Sequence, residues 1–146
     1  AACWSETMDF DRRELIRAAF RAREYAYAPY SHFAVGAALL SQSGKIYTGC
    51  NIECASYSVT NCAERTALFK AVSEGECNFT AIAVVGARTD RSDDSLITSP
   101  CGVCRQALYE FGGAELLVIM AKSEDDFTEM PLGKLLPLGF GPEKVV

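Results

Sequence analysis

Ala81-Ile82-Ala83-Val84-Val85 is an unbroken apolar run between Thr80 and Gly86. It is too short for a helix of ordinary length, and it lacks the alternation of a strand with one wet face. A strand buried on both faces reads this way. A second such run, Leu116-Leu117-Val118-Ile119-Met120, follows, and residues 102–111 between the two read as a helix ended by Gly112-Gly113. A strand, a helix and a second buried strand in that order imply parallel pairing with the helix laid over the sheet. The chain is therefore read as an α/β layered protein.

The same reading extends outward. Residues 62–74 form a strong helical stretch closed by Gly75, where a C-terminal cap belongs. Residues 33–40 and 45–51 are short β-prone runs on either side of Ser41-Gln42-Ser43-Gly44, which reads as a hairpin turn. In residues 10–26, Phe10, Leu15, Ala18, Ala19 and Ala22 recur at helical steps, with Pro29 as a stop signal beyond. The polar residues 88–95 read as a loop and residues 131–136 as a last helical turn. With no internal repeat, linker or low-complexity segment, residues 1–146 are expected to form one domain.

Composition narrows the class. Hydrophobic residues make up 49% of the chain and charged residues 23%, which suffices for a packed core without staples. The seven cysteines are an odd number, so a fully paired secreted framework is not expected, and a reducing compartment fits better. Residues 1–10 lack the basic cluster and apolar stretch of a signal peptide, and no apolar run approaches the ~20 residues that span a bilayer. A cytoplasmic protein with no membrane partner is expected. The net charge of -5 argues against a nucleic-acid partner. Arg12, Arg13, Arg17, Arg21 and Arg23 alternate with Asp11, Glu14 and Glu24 at helical spacings and read as a solvated helix face.

Two short strings carry chemistry: Cys62-Ala63-Glu64 and Pro100-Cys101-Gly102-Val103-Cys104. Pro100 is suited to opening a helix. Cys101 and Cys104, three apart, share a face in a first turn and are able to grip one ion. Cys62 also opens a helix, so three thiolates would sit at two positive helix ends, which favour the deprotonated form. Three protein ligands leave a tetrahedral zinc one position for water, whereas a structural site wants a fourth, nominally Cys3, Cys50, Cys54, Cys77 or His32. Redox use of Cys101 and Cys104 would need no Cys62 at all. The second string alone leaves these readings open, and the first shifts the balance to a catalytic metal. Glu64, two positions past Cys62, does not face the same way and is better placed beside the water than on the metal. Arg65 and Arg105 each follow a site residue, where a guanidinium would offset surplus thiolate charge. His32 is the one histidine, which rules out a multi-histidine zinc cluster, and it is read as a packing or hydrogen-bonding residue.

With these residues in view, the chain resembles the small, three-cysteine cytidine deaminases. The resemblance runs from about residue 25 to 143. It is carried by Pro29-Tyr30-Ser31-His32-Phe33-Ala34-Val35-Gly36-Ala37-Ala38, by Gly49-Cys50-Asn51-Ile52-Glu53, and by Cys62-Ala63-Glu64-Arg65-Thr66-Ala67. Ser99-Pro100-Cys101-Gly102-Val103-Cys104-Arg105-Gln106, Leu135-Leu136-Pro137 and Phe140-Gly141-Pro142 complete it.

The resemblance implies a three-layer α/β/α sandwich around a mixed five-stranded sheet, one Zn2+ per subunit on Cys62, Cys101 and Cys104, and Glu64 as the proton carrier. It also implies substrate contacts from Phe33 to the pyrimidine, from Asn51 and Glu53 to the ribose, and from Ala63. Ala55, Tyr57 and Phe140 match positions contributed across subunits of a homotetramer. The implied reaction is hydrolytic deamination of free cytidine and deoxycytidine to uridine and deoxyuridine with release of ammonia, in pyrimidine salvage.

The chain departs from the family pattern at Cys54 and at Ser58-Val59-Thr60-Asn61, where Asn61 is still able to cap the helix at Cys62. The rivals are a deaminase of modified nucleosides, against which Asn51 and Glu53 speak, a noncatalytic zinc-stabilised module, and a dithiol redox protein.

Overall fold

The computed structural model describes residues 9–92 and 97–145. The reading of residues 1–8, with Cys3 among them, and part of the loop expected at 88–95 lie outside these. Strands β1 (Phe33–Ser41), β2 (Ile46–Cys50), β3 (Phe79–Arg88), β4 (Leu117–Ala121) and β5 (Phe127–Pro131) form one sheet in the order β2-β1-β3-β4-β5. Only β3 and β4 pair in parallel, while β1–β2, β1–β3 and β4–β5 are antiparallel. Among the described residues the α-helices are α1 (Arg12–Arg23), α2 (Ala63–Ser73), α3 (Gly102–Gly112) and the single turn α4 (Leu132–Leu135).

The Ala81–Val85 run lies in β3 at the centre of the sheet, and its alternation divides two cores. Ile82 and Val84 face one cluster with Ala67 and Leu68 of α2, Leu108 of α3 and Leu132 of α4. Ala81, Ala83 and Val85 face the other, with Leu15, Ile16, Ala18 and Ala19 of α1. Burial on both faces is what removes polar alternation from β3. The arrangement is the three-layer α/β/α sandwich with a mixed five-stranded sheet.

Local signals explain most boundaries. Asp11 caps α1 by accepting from the Glu14 N–H at 3.2 Å, so the helix is shorter than the apolar pattern at both ends, and Phe10 only packs against its core. Ser41 to Gly44 forms the turn, with Gly44 at φ 94 and its N–H donating to Ser41 O. The turn is clasped from outside by Glu76, which accepts from Ser41 Oγ at 2.6 Å and Ser43 Oγ at 2.8 Å. Gly75, at φ 97, stops α2 in the left-handed conformation that glycine tolerates.

Two capping expectations need correction. Pro100 does not open α3: Cys101 is its N-cap and Pro100 precedes it. Asn61 does not cap α2 either. Cys62 holds that place, and the Asn61 amide donates instead to Thr66 Oγ1 at 3.2 Å.

Candidate active site

Strand order brings two helix beginnings together. β2 and β3 both run antiparallel to β1, which lies between them, so they point the same way and end at the same edge. α2 follows β2 and α3 follows β3. Their first turns meet just outside the carboxyl ends of those strands, the crevice in which open α/β sheets hold ligands.

Cys62 and Cys101 are the N-caps of α2 and α3, and Cys104 lies in the first turn of α3. The Cys104 N–H donates to Cys101 Sγ at 3.5 Å, and Cys62 Sγ stands 3.8 Å from Cys101 Sγ. All three sulfurs lie within 4.8 Å of one another. Zinc–sulfur bonds of about 2.3 Å in a tetrahedron put neighbouring ligands about 3.8 Å apart. A disulfide would need about 2.05 Å. The spacing is that of sulfurs sharing one ion. Among the described residues, no fourth side chain joins the cluster, since Cys50, Cys54, Cys77 and His32 lie outside it. A closed structural site needs four protein ligands, so this donor set fits an open zinc site.

Electrostatics at the cluster are set by burial and by Arg65. Its Nη2 donates to Cys62 Sγ at 3.4 Å, and its Nε is buried with no partner among the described atoms. The Cys62 thiol is pulled well below the ordinary cysteine range, first by a hydrogen bond with Cys104 and then by Arg65. The same bond to Cys62, followed by burial and the Glu64 charge, pushes Cys104 up.

Glu64 is 4% exposed, and burial, aided by the charge of Cys62, pushes its carboxyl up to about 7. A carboxyl poised there takes and returns protons near neutral pH. Arg105 serves oxygen atoms: its Nε donates to Pro100 O at 2.7 Å, Nη1 to Leu135 O at 2.7 Å and Nη2 to Ser99 Oγ at 3.4 Å. It braces the approach to Cys101 against α4.

The remaining sequence-derived residues gather more loosely. Phe33 sits at the start of β1, opposite Arg88, with its ring edge beside Gly86. The Asn51 amide is tied to the same strand end, accepting from Val35 N–H at 2.9 Å and donating to Phe33 O at 2.8 Å. Glu53 Oε1 accepts from the N–H groups of Tyr30 and Ser31 at 2.9 and 3.0 Å. Burial opposes ionisation of Glu53, but hydrogen bonds from Ser31 and Tyr30 outweigh it and hold the carboxyl below its usual range.

Glu53, Tyr30, Ser31, Tyr57 and Thr60 line a hollow of about 300 Å³. Ala63 is buried in the first turn of α2, whereas Ala55, Tyr57 and Phe140 are exposed. The Phe140 carbonyl is held by Gln106 Nε2 at 2.6 Å. Thr66 escapes the sequence pattern, since a threonine inside a helix is ordinary. Its hydroxyl donates to Cys62 O at 3.1 Å.

Comparison with known proteins agrees with this geometry. The profile of the cytidine and deoxycytidylate deaminase zinc-binding region matches residues 10–121. A cytidine deaminase of Sporosarcina psychrophila is 50% identical over 133 residues, covering 91% of this chain and 93% of that one. The crystal structure of cytidine deaminase from Burkholderia pseudomallei superposes with a TM-score of 0.78 at 48% identity, covering 87% of this chain and 97% of that one. That from Mycobacterium tuberculosis gives 0.77 at 41% identity, covering 91% and 99%. An open three-sulfur site beside a buried glutamate, on a fold and sequence shared with these proteins, places the chain in the family of zinc-dependent cytidine deaminases.

Proposed function

We propose that this protein hydrolyses free cytidine and deoxycytidine to uridine and deoxyuridine with release of ammonia, as a step of pyrimidine salvage. The observation that carries the reading is the open triangle of Cys62, Cys101 and Cys104 with the buried Glu64 carboxyl beside it, pushed up to about 7. Zinc held by these sulfurs supplies a Lewis acid that lowers the pKa of water to about 7.

Glu64 takes the proton released as water adds to C4 and places it on ring N3. It then passes a second proton to the departing amine, so the C4–N bond breaks as ammonia leaves and the C4 carbonyl forms. Phe33 packs on the pyrimidine beside Ala63. Asn51 retains one amide hydrogen and one oxygen lone pair after its two bonds to β1, and Glu53 retains Oε2, so both have capacity for ribose hydroxyls. Arg65 and Arg105 support the first turns that carry the sulfurs.

The chain acts as one domain, in the cytoplasm, as a homotetramer with active sites at subunit interfaces. Ala55, Tyr57 and Phe140 reach a neighbour's site. In support, Tyr57 is 75% exposed and Phe140 60%, and Tyr25, Tyr27, Tyr30 and Val59 are also exposed, more apolar surface than a solitary domain needs.

Ammonia release across cytidine, deoxycytidine, cytosine, CMP and adenosine tests the reading. Turnover is expected for the first two, with loss of cytosine-ring absorbance. Zinc-replete protein that leaves both unchanged overturns it.

A further inference from the structure

We propose that Gly49 and Thr66 are positioning residues of the metal site. The bare backbone of β2 at Gly49 is the seat for the first turn of α2, and Thr66 locks that turn to Cys62. Gly49 lacks the positive φ of Gly44 or Gly75, so its backbone conformation does not require glycine. Space does. A Cβ built there would lie 2.5 Å from Ala67 N, 2.6 Å from Ala63 O and 2.9 Å from Thr66 Cβ. The first two atoms are helix backbone, which cannot swing aside as a flexible side chain does, so the whole turn would have to move.

That turn carries Cys62 as N-cap and Glu64 within it. Thr66, lying over Gly49, donates to Cys62 O at 3.1 Å and accepts from Asn61 Nδ2 at 3.2 Å. It thereby ties the cap to the seat. The other ligands, Cys101 and Cys104, ride on a different helix. A displacement of α2 is therefore not shared by them, and the 3.8 Å spacing of Cys62 and Cys101 is lost.

An internal control lies on the opposite face of the sheet. Gly36 of β1 meets α1 in the same manner: a Cβ there would strike Ala19 O and lie 2.7 Å from Arg23 N. α1 carries none of the ligands.

The inference rests on the three cysteines holding the metal, and the experiment separates the two claims. Gly49→Ala, Thr66→Val and Gly36→Ala are compared with the parent in cobalt- and zinc-loaded form. The readouts are the cobalt–thiolate absorption bands, zinc affinity by chelator competition, and kcat and KM. Gly49→Ala is expected to shift the bands, weaken zinc binding roughly 10–100-fold and lower kcat about 100-fold while KM changes little. Thr66→Val, which adds no bulk, moves the same readouts in the same direction by less, about tenfold in affinity. Gly36→Ala lowers the unfolding temperature and leaves bands and affinity at parent values.

Folded Gly49→Ala with parental bands and affinity overturns the proposal, as does a Gly36→Ala shift of equal size. Should Gly49→Ala fail to fold, Thr66→Val decides: parental bands and affinity overturn the proposal, and a shift with weakened binding upholds it. Failure of the underlying ligand assignment would appear elsewhere, as a Cys62→Ser protein that keeps its zinc.

Discussion

The helix on one face of the sheet and the pair on the other finish their N-termini differently. α1 is capped by an oxygen of its own chain, the Asp11 carboxylate, and its polar flank is pinned to the β4–β5 hairpin. The ion pairs are Arg12–Glu129 at 2.8 Å, Arg17–Glu124 at 3.2 Å and Arg13–Asp125. α2 and α3 have cysteine at the N-cap: the Cys101 sulfur accepts from the Cys104 N–H, whereas Cys62 makes no side-chain capping bond. A helix end satisfied by a carboxylate is electrostatically complete. One that presents a thiol keeps its dipole for an anionic ligand atom, and two such ends at one point make a cation site. Both faces bury an apolar cluster, so burial alone does not single out the reactive face, and how the helices begin does.

The sharpest way to break this contrast is Cys62→Ser, which is expected to empty the site of zinc and abolish deamination, while unfolding still reports an intact α1 face. Metal analysis that finds one zinc per chain in this variant would dissolve the distinction. Glu64→Gln should keep the metal and lower kcat by about 10²–10⁴-fold, and full activity would remove Glu64 from the mechanism.

On the other face, Ile16 is fully buried among apolar neighbours, and Ile16→Ala should cost about 2–5 kcal/mol in urea unfolding. Zinc content and kcat of the folded protein should not change. A loss of zinc there would show the two faces coupled.

Glu64 also links the site to stability. Burial holds its folded pKa at about 7, above the ordinary glutamate value of about 4.3, so ionising it works against the fold. The penalty is absent below about pH 4, grows between the two values and is complete above 7, where it amounts to about 3 kcal/mol. Metal-free Glu64→Gln should therefore be the more stable protein at pH 8 and should match the parent at pH 4. Equal stability at both pH values would refute the burial argument. The smallest effect is expected at Arg17, whose exposed pair with Glu124 should be worth under about 1 kcal/mol on substitution by alanine.

The buried strands and helices were legible because their signals are local. The Ala81–Val85 run, Gly75 and the spacing of Cys101 and Cys104 each state a physical requirement in a few adjacent residues. β5 was not legible from pattern. Phe127-Thr128-Glu129-Met130-Pro131 is half-buried at the sheet edge, neither fully apolar nor cleanly alternating, and its terminal proline is tolerated there. The fifth strand was expected only from family resemblance.

At the site, the three sulfurs were legible because metal chemistry restricts residue type. The seat beneath them was not, because a glycine that serves by being small resembles any other strand glycine. Arg65 and Arg105 look alike in sequence as residues that each follow a site residue, yet one donates to sulfur and the other to carbonyls and a hydroxyl. Their difference arises from how each helix sits on the sheet.

Cys62 and Cys101 stand 39 residues apart, and the whole of β3 lies between them. An ion gripping both is thus a cross-link closing a loop through the middle strand, and closure of a loop of about 40 residues removes about 4 kcal/mol of conformational entropy from the unfolded chain. The three sulfurs converge with that strand in place, so an ion held by them stabilises the assembled sheet over the open chain. The ion then works as a keystone as well as a reagent, and a chelator that strips it loosens the centre of the sheet along with the chemistry.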